Sequence, residues 1–180
     1  MSVFTNPAGG AIEHARAYVT AILDLLGDQD PITVLQATPA ALEKVIGSTS
    51  GVVMARPEAP GKWSIRHVLA HLADSDLVWG WRLRLVLAQD RPPLTGYDQD
   101  AWASRLGYAD ADPRESVAMF SVLRQANLRL IGRAEPEDLQ RVGVHVERGE
   151  ETLAHHLKLY AGHDILHLKQ IERIRQAVTE

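Results

Sequence analysis

The chain has 180 residues, 46% of them hydrophobic and 23% charged, with 19 basic residues against 23 acidic ones. This is the composition of an ordinary globular protein that can bury one core, so we expect a single domain over residues 1–180. The net charge of -4, without a basic block, argues against nucleic-acid binding. The chain has no cysteine, which excludes disulfides, thiolate metal sites and a catalytic cysteine.

The chain shows no sign of a targeting or membrane segment. Its first ten residues lack the basic and apolar stretches of a signal peptide. No window approaches the roughly 18 uninterrupted apolar residues of a membrane span. We therefore expect a cytoplasmic protein that does not bind a membrane.

Helical periodicity predicts four long amphipathic helices, near residues 11–26, 64–88, 113–133 and 152–178. Ser64, Asp112 and Thr152 are the predicted N-caps of the last three. Between the first two long helices, Asp30-Pro31 and Thr38-Pro39 each resemble an N-cap followed by proline at the first helical position. That connection is therefore predicted to hold short helical turns.

The segments outside these helices give little sign of a sheet. A weak alternation over residues 142–146 predicts a short extended segment, and more than two short strands would contradict an all-helical interpretation. The predicted fold class is all-α, a four-helix bundle with long connecting loops. The loop over residues 91–112 and the first connection are long enough for crossovers, so a simple up-down topology is not required.

His163 and His167 are the most informative residues of the chain. They are four positions apart in a predicted helix, so their imidazoles lie on one face and can bind one divalent metal ion. The glutamate of the helical zinc-protease motif is absent, because Asp164 and Ile165 follow His163. A third ligand must therefore come from elsewhere in the chain.

His71 is the predicted third ligand, and His67 is the alternative. The two have the same spacing in the second long helix, but Ser64 as N-cap places His67 at the capping-box position near the helix end. His71 lies one turn deeper, where the helix should be packed. A lone histidine is more often structural; convergence from two facing helices favours a metal site.

Two further residues of the last helix are candidate catalytic groups. His156 lies seven residues before His163, only about 20° away around the helix axis. Tyr160 lies on nearly the same stripe. A polar role for His156 at the mouth of the bundle is an equal alternative.

Arg82 and Trp102 are candidate substrate-binding residues. Arg82 should point inward, and an ion pair with Asp98 or Asp100 is favoured over substrate binding. Trp102 lies in the long loop, where an anchoring role is the more common one. Asp164 is expected to face solvent or to orient an imidazole N–H.

Two segments carry a resemblance to a known family. Residues 61–74, which contain His67 and His71, and residues 162–171, which contain His163 and His167, resemble the DinB/YfiT-like family. Residues 97–103, 124–128 and 149–153 resemble it more weakly, so the resemblance covers nearly the whole chain. It implies a four-helix bundle of unusual connectivity in which three histidines, here His71, His163 and His167, hold a divalent metal such as nickel or zinc.

The resemblance also implies a range of activities. Family members transfer small thiols, use such a thiol in an isomerisation, or are described as metal-dependent hydrolases. We therefore expect a metal-dependent enzyme acting on a small molecule, either a thiol S-transferase or a hydrolase, with a small thiol as the cosubstrate in the first case. The alternative is a non-catalytic metal-binding or stress-associated interaction protein. Exposed Trp and Leu positions on the long helices predict a homodimer.

Overall fold

A computed structural model describes residues 12–179 of the chain, with side chains for residues 15–178. Seven α-helices and three short strands form in this part. The helices are α1 (Ile12–Leu26), α2 (Pro31–Ser48), α3 (Gly51–Ala55), α4 (Ile65–Ala88), α5 (Gln99–Arg105), α6 (Pro113–Ile131) and α7 (Leu153–Thr179). The strands are β1 (Pro93–Leu94), β2 (Val142–His145) and β3 (Gly149–Thr152). Residue 11, the predicted start of the first helix, lies outside the described residues.

Helices α4, α6 and α7 begin where their capping residues predict. Ser64 and His67 form the capping box of α4. The carboxylate of Asp112 accepts hydrogen bonds from backbone N–H groups in the first turn of α6. Thr152 Oγ1 accepts a hydrogen bond of 3.1 Å from the backbone N–H of His155 in α7. Each side chain satisfies N–H groups that have no partner inside their helix.

The prediction of short helical turns between the first two long helices was wrong, because a single long helix, α2, occupies this connection. Asp30 is its N-cap as predicted, but the helix continues without interruption through Pro39. Thr38 is buried, and its hydroxyl donates to the carbonyl of Val34 at 3.0 Å, so it is no cap. Helix α2 packs against α6 and α7, and α4 packs against α6 and α7. The bundle is therefore formed by α2, α4, α6 and α7, while α1 packs along α7.

The three-stranded sheet was not predicted, although the extended segment expected over residues 142–146 is confirmed as β2. Strand β2 pairs in parallel with β1 and antiparallel with β3, in the order β1-β2-β3. Gly143 in β2 allows this arrangement, because a Cβ there would lie 2.5 Å from Leu94 Cδ1 and 2.9 Å from Val86 Cγ2. The sheet is too small to replace the bundle and packs against α4 and the start of α7. The prediction of a helical bundle is therefore correct, but the expectation of at most two strands was wrong.

A buried charged cluster joins the helices of the bundle. Arg124 of α6 donates to Asp76 at 2.8 Å and to both carboxylate oxygens of Asp164, at 2.5 and 3.0 Å. All three side chains are almost fully buried. Burial raises the pKa of Asp76 to about 6, against the opposing effect of Arg124. Asp164 therefore neither faces solvent nor orients an imidazole, which corrects the prediction for it.

Among the described residues, no helix is both long and apolar enough to cross a membrane.

Candidate metal centre

Three histidine side chains from two helices meet at one point. Nε2 of His163 lies 3.2 Å from Nε2 of His71 and 3.1 Å from Nε2 of His167. His163 and His167 are one turn apart on α7, and His71 reaches them from the facing helix α4. The three ligand atoms all lie within 4.8 Å of one another. The structure thus brings together the three residues that the sequence predicted as one set.

These nitrogen atoms suit a shared divalent ion. Two nitrogens bound tetrahedrally at about 2.1 Å from zinc would lie about 3.4 Å apart, close to the observed separations. Hydrogen bonds alone do not explain the cluster, because Nε2 of His163 faces two other nitrogens and can form one such bond. Burial lowers the pKa of His167 to about 4 and those of His71 and His163 well below the usual 6.5. The imidazoles are therefore neutral at pH 7, as metal ligands must be.

Neighbouring side chains orient the cluster. Nδ1–H of His167 donates to Oε1 of Gln170 at 2.7 Å, which leaves the lone pair of Nε2 free. The Trp63 ring packs on His71 with 5.1 Å between centroids. Ser75 Oγ lies 3.3 Å from Nε2 of His71, on the same side as His163. Nδ1 of His71 is buried without a hydrogen-bond partner among the described residues.

His67 stays outside the cluster, as predicted. Its Nδ1 lies 2.8 Å from Oγ of Ser64 and 3.4 Å from the backbone N of Ser64. These contacts hold the ring at the start of α4, stacked on Trp63 at 6.4 Å. His67 is therefore a capping residue.

The cluster opens into a cleft, which we call the main cleft, with about 640 Å³ of empty space including its mouth. His71 and His163 line it. The other lining residues come from α1, α4, the loop after β1, α5, the β2–β3 hairpin and α7: Tyr18, Val19, Ile22, Ser75, Arg82, Gly96, Tyr97, Gln99, His145, Glu147, Arg148, Leu159 and Tyr160. His167 instead lines a second cleft, with about 840 Å³ of empty space including its mouth, together with Trp63, Gln99 and Gln170. The cluster therefore lies between two openings.

The predicted catalytic candidates differ in their placement. Tyr160 lines the main cleft, and its ring centroid lies 6.2 Å from that of His163. His156 is buried away from the lining, with Nε2 at 3.1 Å from Oε2 of Glu151. Helical position alone placed the two on one stripe, but only Tyr160 reaches the cleft.

The two substrate-binding candidates also separate. Arg82 lines the main cleft, whereas Trp102 packs on Tyr97 at 4.5 Å between centroids and lines neither cleft. The favoured ion pair of Arg82 with Asp98 or Asp100 was wrong. Arg82 donates to the carbonyl of Thr95 and the hydroxyl of Tyr160, while Asp98 caps α5. No carboxylate of the described residues lies within 4.0 Å of its nitrogens.

Sequence reasoning missed several residues of the cleft wall. Tyr18 comes from α1, and His145 and Arg148 come from the unpredicted hairpin. None of them has a spacing relation to the histidines of α4 and α7. Only the packing of α1 and of the sheet against the bundle places them there.

Comparison with known proteins agrees with this geometry. Residues 34–171 match the family model of the DinB superfamily. The chain belongs to the DinB superfamily. It is 29% identical over 144 residues to a Bacillus subtilis protein named "Putative metal-dependent hydrolase YfiT", covering 79% of this chain and 81% of that one. A protein of the same functional name from Oceanobacillus iheyensis is 30% identical over 111 residues, 62% of this chain and 64% of the other.

A solved structure extends the likeness to the fold. The structure of YfiT from Bacillus subtilis superposes with a TM-score of 0.77 at 27% identity, covering 83% of this chain and 86% of that one. It is described as a probable metal-dependent hydrolase with an unusual four-helix bundle topology. The helical bundle inferred from the sequence is thereby confirmed.

Proposed function

We propose that this protein is a divalent-metal-dependent enzyme that acts on a small molecule. His71, His163 and His167 would hold the metal through their Nε2 atoms. The observation that carries the proposal is the convergence of these atoms at the wall of the main cleft. A metal site that serves structure alone is usually closed by four protein ligands. Here three imidazoles leave room for a further ligand; two of them line the main cleft and the third lines the second cleft.

The chemistry follows from the donor set. A divalent ion held by three neutral imidazoles would keep its full charge and would supply a site that lowers the pKa of a water or thiol ligand toward 7. The chain itself has no cysteine, so a thiol nucleophile would have to come from a cosubstrate. The names of the relatives support hydrolysis as the first reaction to test. Zinc and nickel are the metals we expect.

Side chains around the cluster have separate tasks in this proposal. Gln170 fixes the tautomer of His167, and the packing of Trp63 on His71 limits solvent around that ligand. Tyr160 presents a hydroxyl beside His163, held by a hydrogen bond of 3.2 Å from Arg82. Tyr160 is our candidate for donating a proton or hydrogen bond to the substrate. Trp102 and His156 take no direct part.

The test combines metal analysis with activity assays. Protein purified without an affinity tag should contain close to one zinc or nickel ion per chain. The metal-stripped protein, reloaded with either ion, is assayed against panels of small esters and amides. Parallel assays measure transfer of several small thiols to a chromogenic electrophile. His67→Ala, which changes a histidine outside the cluster, is the matched control for His163→Ala.

Two outcomes would contradict different parts of the proposal. A protein that binds one metal ion per chain but is inactive on every panel would support a non-catalytic metal-binding protein. A protein that binds no divalent metal would overturn the three-histidine site.

A homodimer and a cytoplasmic location also remain proposals. Trp81 and Leu77 lie one turn apart on α4 and are 61% and 46% exposed, which supports an apolar contact between two copies. Light scattering at micromolar concentration should give the mass of a dimer. A monomer mass would contradict this assembly.

A further inference from the structure

Arg82 is a buried cation without a described anionic partner. Its side chain is 6% exposed, and its hydrogen bonds go to the Thr95 carbonyl at 2.5 Å and the Tyr160 hydroxyl at 3.2 Å, both uncharged. Its Nε atom has no hydrogen-bond partner among the described residues. Buried arginines are rarely left without a carboxylate or another anion, because desolvating the charge is costly. Arg82 lines the main cleft, where such an anion could be supplied by a ligand.

His145 lies between two hydrogen-bond donors. Its Nδ1 is 3.2 Å from the backbone N–H of Glu147, and its Nε2 is 3.4 Å from Nη2 of Arg82. Burial lowers the pKa of His145 to about 3, so the ring is neutral at pH 7. A neutral imidazole has one acceptor nitrogen, so one of the two contacts joins two donors. Because the contact with the Glu147 amide is the shorter, we assign Nδ1 as the acceptor. Nε2–H then faces Nη2 of Arg82, so two donors lie side by side in the lining of the main cleft without an acceptor between them.

Tyr160 adds a third donor at the same place. Its hydroxyl oxygen accepts from Arg82, which leaves its proton for another acceptor. The ring is fixed by stacking on Trp79, with 4.8 Å between centroids and 24° between planes. One charged donor, Arg82, and two neutral donors, His145 and Tyr160, therefore lie next to one another in the lining of the main cleft.

The remaining charges of the cleft do not satisfy these donors. Arg148 forms a two-pronged ion pair with the buried carboxylate of Glu151, at 2.5 and 2.8 Å, so these two charges neutralise each other. Glu147 also lines the cleft but lies against Gly96, more than 4.0 Å from the nitrogens of Arg82. An acceptor with at least two oxygens is what the three donors require.

We propose that Arg82, His145 and Tyr160 form a subsite that binds an anionic oxygen group, a carboxylate or a phosphate, of the substrate. This deepens the proposed function and rests on it for the link to the metal centre. Tyr160 and His163 are one helical turn apart, so the anionic group would lie roughly 5–10 Å from the histidine cluster. The substrate is then a small acid whose reactive group is a few bonds from its carboxylate or phosphate.

Anion binding to metal-stripped protein, dialysed free of chelator, tests this subsite independently of catalysis. Isothermal titration at constant ionic strength uses sodium succinate and sodium phosphate as probes and succinamide as the uncharged control. The comparison of succinate with phosphate identifies the preferred anion. The variants are Arg82→Gln and Tyr160→Phe. Their matched controls are Arg91→Gln, an exposed arginine outside the cleft, and Tyr108→Phe, whose hydroxyl bonds to Asp74 instead.

We expect the protein to bind succinate or phosphate but not succinamide. Loss of a charged hydrogen bond should weaken anion binding by at least about 10-fold in Arg82→Gln and Tyr160→Phe, with both controls unchanged. Absence of anion binding in the unmodified protein, or equal affinity in a folded Arg82→Gln variant, would overturn the subsite. Arg82→Gln also loses the hydrogen bond to the Thr95 carbonyl. If that variant does not fold, Tyr160→Phe tests the subsite by itself, since it keeps the ring that stacks on Trp79.

A zinc titration of the same samples separates the two proposals. Anion binding without zinc binding would overturn the metal centre and leave the subsite standing. Zinc binding without anion binding would overturn the subsite alone.

Discussion

The carbonyl oxygen of Leu35 accepts a hydrogen bond of 3.0 Å from Nη1 of Arg124. In a helix without proline, this oxygen would accept a hydrogen bond from the backbone N–H of the residue four positions later. Here that residue is Pro39, which has no N–H. The proline inside α2 thus leaves an acceptor that a buried arginine of α6 uses. Since Arg124 also binds Asp76 of α4 and Asp164 of α7, one side chain links all four helices of the bundle.

Arg124→Met should therefore destabilise the protein strongly. The substitution keeps much of the side-chain volume but leaves Asp76, Asp164 and the Leu35 carbonyl buried without their partner. Removing one member of a buried ionic cluster typically costs about 3–5 kcal/mol. Urea denaturation of the metal-stripped variant measures the change in the free energy of unfolding. Arg91→Met, which removes an exposed pair with Glu150, is the control and should change little. Similar losses in both variants would contradict this view of the cluster.

His163→Ala should abolish stoichiometric metal binding while the bundle still folds. His163 is the central histidine, because its Nε2 contacts the Nε2 atoms of both His71 and His167. His67→Ala should keep one bound metal per chain, with a small loss of stability from the weakened cap of α4. Metal content by mass spectrometry, with circular dichroism as the folding check, measures both. Full metal occupancy in His163→Ala would show that the three imidazoles are not the ligands.

Gly162→Ala should displace α1 from α7. A Cβ at Gly162 would overlap the carbonyl oxygen of Ile22, a backbone atom that cannot move without its helix. Overpacking of this kind costs about 1–3 kcal/mol. Gly47→Ala is the matched control, because Gly47 also lies in a helix and a Cβ added there would meet nothing within 4 Å. Helix propensity should make that control neutral or stabilising. Thermal unfolding compares the two; a neutral Gly162→Ala would refute the close approach of the helices.

In the metal-stripped protein, the stability that His145 contributes should be lost as the pH falls below about 6.5. Burial lowers the pKa of His145 to about 3, so between that value and the ordinary 6.5 of the unfolded chain the unfolded state binds more protons. Stability contributed by keeping this ring neutral is complete above pH 6.5 and is lost progressively toward pH 3. Denaturant titrations from pH 7.5 to pH 4 measure the slope. In His145→Gln the slope should be shallower, by at most about 1.4 kcal/mol per pH unit for one proton. An unchanged slope would show that His145 is not a buried neutral group.

Local signals in the sequence were enough to place three of the bundle helices and to choose the three histidines. Apolar periodicity and the caps Ser64, Asp112 and Thr152 depend on residues within a turn of one another, so α4, α6 and α7 could be placed without knowledge of the fold. The i, i+4 spacing of His163 and His167 likewise follows from helix geometry. Selecting His71 over His67 needed only the capping-box position of His67.

Other features depend on contacts between distant parts of the chain. Pro39 looked like a helix start, yet α2 runs through it because Arg124 takes the acceptor that the proline leaves. The sheet depends on the close packing of Leu94 on Gly143. Arg82 was correctly expected to point inward, but its hydrogen-bond partners are the carbonyl of Thr95 after β1 and the hydroxyl of Tyr160 in α7 rather than a nearby aspartate. Such contacts join residues far apart in sequence, and no local periodicity records them.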